Sequence, residues 1–205
     1  LLVSLEKGYM QFKSGNHLAR QVVSKLEGKT VFNTFNDFQI AEFPIKIKTI
    51  NDQSEYHDAT VLVNMCYDYY GKAFADICID KDPHSIKPEK GVCEVSDISL
   101  SNGQGGPVAI TKIESRMMVD ENSIRPQFRI YISNAGQGNV IRYGTKDAVC
   151  SNSGLVQGDY NTVDLVDISF SNFHIGDFEC NPLPLVLQKN EDYVTCTLKA
   201  GKISK

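Results

Sequence analysis

The chain has 205 residues, which at roughly 100–200 residues per domain allows one or two domains with cores of their own. Hydrophobic residues make up 41% and charged residues 22%, a composition typical of a folded rather than a disordered chain. Asp plus Glu number 25 against 21 for Lys plus Arg, and the net charge of −4 argues against nucleic acid, whose phosphates require a basic face. Because no run approaches the roughly 20 apolar residues of a membrane span, we expect no membrane contact within this segment.

The first predicted element is a short helix near residues 16–27. Leu18, Val22 and Leu26 recur at i, i+4 and i+8, the spacing of one helical face. An Asn and a Gly stand at the two ends, where they favour capping. Because the segment covers barely three turns, its stability depends on packing against the rest of the protein.

From residue 38 onward, strand patterns dominate. The runs are rich in Val, Ile, Phe and Tyr, or alternate between apolar and polar residues, and clusters of Gly, Asn, Asp, Ser and Pro separate them. Short strands separated by turn chemistry are typical of antiparallel sandwiches, so the predicted fold class is all-β. The predicted strands are 38–40, 43–48, 60–66, 74–79, 108–113, 128–132, 163–170, 185–187 and 193–198.

A weak internal repeat suggests how the strands are shared between domains. The pattern F-x-I-x-I begins at Phe43 and again at Phe128, and a cysteine follows each at nearly equal distance. This indicates two related antiparallel, immunoglobulin-like β-sandwich domains. We place the first at 1–95, where the short helix lies and the early strands are missing unless residues 1–35 supply them, and the second at 96–205.

The six cysteines are the basis for predicting the cellular compartment of this protein. They show no C-x-x-C spacing, so neither a zinc knuckle nor a thioredoxin-type motif is present. An even number within strand-like segments favours disulfides and an oxidising exterior, and the alternative is reduced, buried cysteines in a cytosolic domain. Local pairing predicts Cys78 with Cys93 and Cys180 with Cys196, each around a turn-containing loop. Cys66 and Cys150 are then either paired with each other or free.

Several motifs are compatible with a binding or catalytic role, and each also has a simpler structural interpretation. The Gly-rich stretches at 103–106 and 136–138 precede strand-like runs rather than a helix, so they favour turns over phosphate binding. Asp80 and Asp82 are oxygen ligands suited to calcium, but without the further acidic residues of an EF-hand they favour a solvated turn. His17, His57, His84 and His174 have no metal-ligand spacing. We predict no metal, no cofactor and no catalytic residue.

Tyr67, Tyr69 and Tyr70 form a conspicuous aromatic cluster. On a strand, the first two point to one face and the third to the other. They offer a surface for stacking on a sugar or a partner, and the alternative is that they cover one end of a core. We retain them as a possible binding surface.

Three sequence blocks resemble a known group of proteins, and this resemblance suggests a cellular location. The blocks C-Y-x-Y…C-I-D…C from Cys66, Q-G-G-P-V-A from Gln104 and F-R-I-Y-I-S-N-A-G from Phe128 resemble a group of uncharacterised archaeal envelope proteins. These have an N-terminal membrane segment and tandem immunoglobulin-like domains related to cell adhesion. The resemblance covers about residues 29–200 and implies location and fold, not chemistry. We accordingly expect a piece of a longer exported precursor, with signal and anchor outside this segment.

Together these patterns predict a non-enzymatic extracellular protein of the archaeal cell surface, structural or adhesive. A sharper version is a filament or envelope subunit that assembles by β-strand complementation, with other surface-protein subunits as partners and a homo-oligomeric state. The first alternative is a ligand- or carbohydrate-binding module. The second is a secreted hydrolase, whose catalytic residues converge only on folding.

Overall fold

The computed structural model of the protein describes residues 1–27, 37–50, 54–80, 82, 93–100, 104–119, 123–151, 154–188, 191–201 and 203. Within these ranges, antiparallel strands dominate and helix is almost absent, so the all-β prediction is confirmed. The strands are β1 Leu2–Leu5, β2 Met10–Phe12, β3 Leu18–Arg20, β4 Ile45–Ile47, β5 Val61–Asn64, β6 Ile98–Ser99, β7 Val108–Val119, β8 Ile124–Asn134, β9 Thr162–Val163, β10 Phe178–Asn181, β11 Leu185–Val186 and β12 Glu191–Leu198. One short α-helix, α1, spans Lys146–Ser151, and 3-10 turns span Gln157–Asp159 and Ile175–Asp177.

The chain divides into two compact units that are discontinuous in sequence. Unit 1 comprises Leu1–Asp68 and Lys146–Leu155, and unit 2 comprises Tyr69–Thr145 and Val156–Lys205. This division differs from the predicted domains 1–95 and 96–205. The reason is that Ile77 and Ile79 pack against the core of unit 2, which draws the segment after Asp68 into that unit.

Unit 1 consists of small sheets. β1 lies between β3 and β5 in one antiparallel sheet, and β2 pairs with β4 in another. The buried core cluster of these sheets is small, because the strands are only three or four residues long. Its members come from β1 and β2 and are Val3, Leu5, Met10 and Phe12.

The predicted helix near 16–27 is wrong. Residues 18–20 form β3, in antiparallel register with β1, and the backbone N–H of Gln21 donates to the carbonyl of Leu1 at 2.9 Å. Leu18 and Val22 are exposed, so the apolar stripe that suggested a helix has no core to pack on. A three-turn helix without such packing is marginal, and pairing with β1 supplies the backbone hydrogen bonds instead.

Unit 2 is built on one five-stranded antiparallel sheet with the order β10-β12-β8-β7-β6. β8 alternates strictly, with its even-numbered residues from Ile124 to Ile132 buried and its odd-numbered ones partly exposed. Phe128, at 2% exposure, contacts the rings of Phe170 and Phe178. The strand period of two thus separates one apolar face from one polar face.

The apolar face of this sheet is covered largely by irregular chain. β9 and β11 form a two-stranded ribbon. Leu165 and Ile168 pack on the core beside it outside any strand, and Phe170 packs there from an isolated β-bridge. The predicted strand 163–170 is therefore limited to its first residue, and the predicted strand 74–79 does not form. In both segments the apolar side chains still reach the core. The alternation of apolar and polar residues determines which side chains are buried, but it does not determine whether the backbone hydrogen-bonds to a neighbouring strand.

Candidate functional site

Unit 1 leaves an apolar groove open between its two sheets. The groove has a volume of about 310 Å³, and its walls include Val3, Phe12, Phe43, Val61 and Val63. The lining residues that the structure describes are aliphatic or aromatic, and none of them has a charged side chain. The groove is thus suited to an apolar side chain or strand face rather than to a charged ligand.

The strand beside this groove is an unprotected edge. β5 pairs with β1 on one side, and no strand in the described part of the chain pairs with its other side. All four of its residues are exposed, with Leu62 at 60% and Val63 at 58%. Since successive side chains of a strand point to opposite faces, β5 presents apolar groups on both faces as well as backbone donors and acceptors along its edge.

The polar face of the unit 2 sheet carries an ordered network centred on Glu114. Its carboxylate accepts hydrogen bonds from Lys112 Nζ at 2.8 Å and from Tyr131 Oη at 3.0 Å, and it lies 3.6 Å from Arg129 Nη1. Lys112 Nζ also pairs with Asp97 at 3.0 Å. The register of β7 and β8 places Lys112 beside Tyr131 and Glu114 beside Arg129, so the network follows from sheet pairing.

This network shifts the proton affinities of its members. The hydrogen bond from Lys112, followed by that from Tyr131, lowers the pKa of Glu114 below its usual 4.5. The hydrogen bond to Glu114, followed by that to Asp97, raises the pKa of Lys112. Desolvation, followed by its hydrogen bond to Glu114, raises the pKa of Tyr131. At neutral pH the face therefore presents fixed charges and a neutral phenol.

Two aromatic rings lie beside these charges. The rings of Tyr131 and Tyr193, which are cross-strand partners, have centroids 5.1 Å apart at an interplanar angle of 44°. The Arg129 guanidinium lies 5.5 Å from the centre of the Tyr193 ring, and Arg129 Nε is buried without a hydrogen-bond partner in the described residues. Rings with charged donors and acceptors at their edges are suited to stacking on a polar, ring-shaped ligand.

The predicted tyrosine cluster is split between the two units. Tyr67 belongs to unit 1, whereas Tyr69 and Tyr70 belong to unit 2, and none of the three lies in a strand. The ring of Tyr69 lies so close to Gly106 that a Cβ there would overlap it, and its hydroxyl donates to the carbonyl of Gln104 at 3.4 Å. Tyr69 therefore packs within unit 2, while Tyr67 and Tyr70 are exposed.

Both predicted local disulfides are present. Cys78 is bonded to Cys93, and Cys180 is bonded to Cys196, its direct cross-strand partner between β10 and β12. The two bridges indicate an oxidising environment. The remaining pair, Cys66 and Cys150, are free thiols in this structure, and both belong to unit 1.

Two of the four histidines, His17 and His57, have structural partners. His17 Nδ1 lies 2.8 Å from the carbonyl of Met10, and His57 stacks on Tyr9 and pairs with Glu6 at 3.2 Å. The backbone N–H of Thr60 and, after it, His57 lower the pKa of Glu6 against an opposing effect of desolvation.

The acidic turn shows the local geometry expected of it. Asp80 Oδ1 accepts the backbone N–H of Asp82 at 2.9 Å, the closure of a turn on its own backbone. His84 and the Gly103 part of the first Gly-rich stretch lie outside the described residues. Among the residues that are described, no three His, Cys, Asp or Glu side chains converge as a metal site would require.

Sequence reasoning missed the polar face of unit 2. The signal was present, because Arg129 and Tyr131 alternate with Phe128, Ile130 and Ile132 along β8 and so lie on the opposite face. What the sequence did not give was the register that brings Glu114 and Tyr193 beside them, since those strands are distant along the chain.

Comparisons with protein-family models, with curated protein sequences and with solved structures each found no match for this chain. Across the described residues, no helix has both the length and the apolar character that crossing a membrane requires. The chain's function therefore has to be inferred from its own surfaces.

Proposed function

We propose that this chain is a non-enzymatic structural or adhesion protein of the extracellular surface, and that copies of it assemble by adding a strand to β5 of unit 1. The observation that carries the proposal is the apolar strand edge at β5, exposed on both faces beside an open apolar groove. The two disulfides support an extracellular setting, since such bridges persist where the environment is oxidising.

Strand addition satisfies the two needs of this edge together. A second strand beside β5 takes up its outward backbone donors and acceptors, which are otherwise a template for pairing. Val61 and Val63 line the groove, whereas Leu62 between them points to the other face. An added strand therefore extends the sheet and shields apolar side chains on both faces, and each Val or Leu so buried contributes about 1.5–3 kcal/mol.

The finer parts of the proposal concern fold family and source. We assign both units to the immunoglobulin-like β-sandwich class and the protein to the archaeal cell surface. Antiparallel pairing of every described sheet supports the first assignment. The resemblance of the cysteine and Gly-rich blocks to archaeal envelope proteins supports the second.

Assembly is tested by sedimentation velocity over a wide range of protein concentration, with Val63→Lys as the test variant. We expect the wild-type chain to form oligomers, and the lysine to weaken association about tenfold or more, because a charge replaces a valine that the interface buries. Val166→Lys is the matched control, since Val166 is an exposed valine in unit 2, at 66% against 58% for Val63. A wild-type protein that stays monomeric and heat-stable at every concentration contradicts the proposal.

A second candidate function is binding of a carbohydrate or similar polar ligand, and the rings of Tyr131 and Tyr193 beside Glu114 and Arg129 favour it. Tyr193 is 38% exposed, so one side of this ring pair faces solvent. A glycan array followed by titration calorimetry tests this candidate. We expect Tyr193→Ala to remove binding and Tyr143→Ala, at another exposed tyrosine of unit 2, to leave it unchanged. An array without signal above background contradicts it.

A further inference from the structure

The two cysteines outside the known bridges meet inside unit 1. The side chains of Cys66 and Cys150 are close enough to interact, since the Cys150 thiol helps to raise the pKa of the Cys66 thiol. Cys150 is 6% exposed and Cys66 is half-buried. Of the six cysteines in the chain these are the two left over, and the fold places them side by side although they are far apart in sequence.

Strand register and one ion pair independently place Cys66 and the helix of Cys150 near the same end of one sheet. Leu2 of β1 pairs with Arg20 of β3 on one side and with Asn64 of β5 on the other. Cys66 follows Asn64 by two residues. On the far side of the same row, Arg20 Nη2 pairs with Asp147 of α1 at 3.3 Å. The helix that carries Cys150 therefore lies at the sheet end where Cys66 leaves β5.

We propose that Cys66 and Cys150 form a third disulfide, which joins the two separate parts of unit 1. The first part ends at Asp68 and the second, Lys146–Leu155, returns to the unit after a long excursion through unit 2. An ion pair between Arg20 and Asp147 also links the two parts, but both side chains are half or more exposed, and such a pair contributes little on its own. A covalent link across so long a loop restricts the unfolded chain strongly.

The bridge forms by thiol–disulfide exchange with a disulfide-bearing oxidant, either a dithiol oxidoreductase or a small-molecule disulfide such as oxidised glutathione. The thiolate of Cys66 attacks one sulfur of the oxidant and expels the other as a thiolate, which takes up the proton released from Cys66. The thiolate of Cys150 then attacks Cys66 Sγ and expels the second oxidant sulfur, which takes up the proton from Cys150. Two protein thiols are oxidised and one oxidant disulfide is reduced to two thiols.

The environment of the pair determines when exchange takes place. Burial, followed by the hydrogen bond with Cys150, raises the pKa of Cys66 to about 11, although the Leu1 amine and Arg20 act in the opposite direction. Because the thiolate is the attacking species, the folded dithiol reacts slowly at neutral pH. The bridge therefore forms while unit 1 folds, before Cys150 is buried. Once formed, the same burial shields it from reductants.

Peptide mapping tests the proposal on the full-length chain, produced in an oxidising compartment or refolded in a glutathione redox buffer. The protein is denatured, alkylated without reductant and digested. We expect no alkylated cysteine, an intact mass lower than that of the reduced protein by the hydrogens of three bridges, and the Cys66 peptide linked to the Cys150 peptide. The known Cys78–Cys93 and Cys180–Cys196 links serve as internal controls.

Recovery of Cys66 and Cys150 as two alkylated thiols, with the other bridges intact, overturns the proposal, and so does a link from either to a different cysteine. Cys66→Ser is the companion variant, and we expect it to expose Cys150 as the single alkylated thiol. Should this variant fail to fold, the wild-type map still decides the question. The map is independent of oligomeric state, so its outcome is separate from the test of strand addition.

Discussion

Unit 1 and unit 2 are both built from antiparallel strands, yet they bury very different amounts of apolar surface. Unit 2 places a long-stranded sheet under a ribbon and irregular chain, and its core residues include several at or below 2% exposure, such as Phe128, Leu185 and Val194. Among the described residues, the buried core cluster of unit 1 has four members, and Ile47, Leu62 and Val63 are largely exposed. An apolar pattern thus becomes a core only where a second layer covers it.

The two units therefore differ in what their apolar surfaces are expected to do: those of unit 2 stabilise the fold, and those of unit 1 are available for association. The apolar face of unit 2 is covered from within the chain, which leaves its polar face for the charged and aromatic network. Unit 1 has an apolar groove and a strand edge that nothing in the described residues covers. We therefore expect changes in unit 2 to alter mainly the free energy of unfolding, and changes at β5 to alter mainly association.

The largest expected effect tests this contrast in the two cores. Phe128→Ala removes a ring enclosed by Phe170 and Phe178, and we expect it to lower the free energy of unfolding by about 3–5 kcal/mol, because it creates a closed cavity. Phe12→Ala is the matched change in unit 1. Because Phe12 lines the open groove, we expect a smaller loss.

Urea denaturation with hydrogen exchange of the β8 and β12 amides measures the first change, and exchange of the β1 amides measures the second. Equal losses at Phe128 and Phe12 contradict the distinction between a closed and an open core.

The next effect compares the two known disulfides, which close loops of nearly equal length, with sequence separations of 15 and 16. Replacing either pair with alanine should cost about 3 kcal/mol on the chain-entropy model. We expect the loss at Cys180–Cys196 to be the larger, because Cys196 is fully buried in the sheet of unit 2 whereas Cys93 is exposed.

Thermal unfolding of the two double variants, Cys180→Ala with Cys196→Ala and Cys78→Ala with Cys93→Ala, measures this difference. A greater loss in the second variant shows that burial around the bridge is not the deciding factor.

The smallest effect concerns pH and the network of unit 2. The pKa of Glu114 is lower in the folded protein than its usual 4.5, so its contribution to stability is present above that pH and is lost as the pH falls through the lowered pKa. The pKa of Lys112 is raised, so its contribution is present below its usual 10.5 and is lost as the pH rises through the raised pKa.

We expect Glu114→Gln to weaken the pH dependence of stability at both the acidic and the basic end, since it removes the carboxylate that contributes to both pKa shifts. Urea midpoints measured in steps below pH 4.5 and above pH 10.5 check this, with Glu179→Gln, an exposed carboxyl of β10, as the control. Identical pH profiles for Glu114→Gln and the wild type would falsify the assignment.

Much of the local structure followed from short-range pattern. The pairing of Cys180 with Cys196 was predicted because the two cysteines flank a short, turn-containing segment, and the structure confirms it. Ile77 and Ile79 lie on one face of the predicted strand 74–79, and they do reach the core although no strand forms there. The alternation of apolar residues, which is visible in the sequence, determines which side chains are buried. Strand pairing also requires a partner strand, and the local sequence does not specify that partner.

The failures came from contacts between distant segments. Leu18 and Val22 have helical spacing, but β1 lies beside residues 18–20 and takes their hydrogen bonds. The tyrosine cluster is continuous in sequence, yet the chain passes from unit 1 to unit 2 between Asp68 and Tyr69. The polar network joins Glu114, Arg129 and Tyr193 from three strands, and no local pattern links them.

The sequence by itself determined the class of this protein: a β-rich chain with two local disulfides and a charge balance unsuited to nucleic acid. Composition, alternation and turn residues can be recognised without knowledge of the fold, because each depends only on the sequence itself or on neighbouring positions in it. Only the tertiary structure decided that Lys146–Leu155 returns to unit 1, that Cys66 meets Cys150, and that β5 is left as an open edge. These features depend on which distant strands pair and which apolar faces are covered, and both are determined by contacts between segments that are far apart in the sequence.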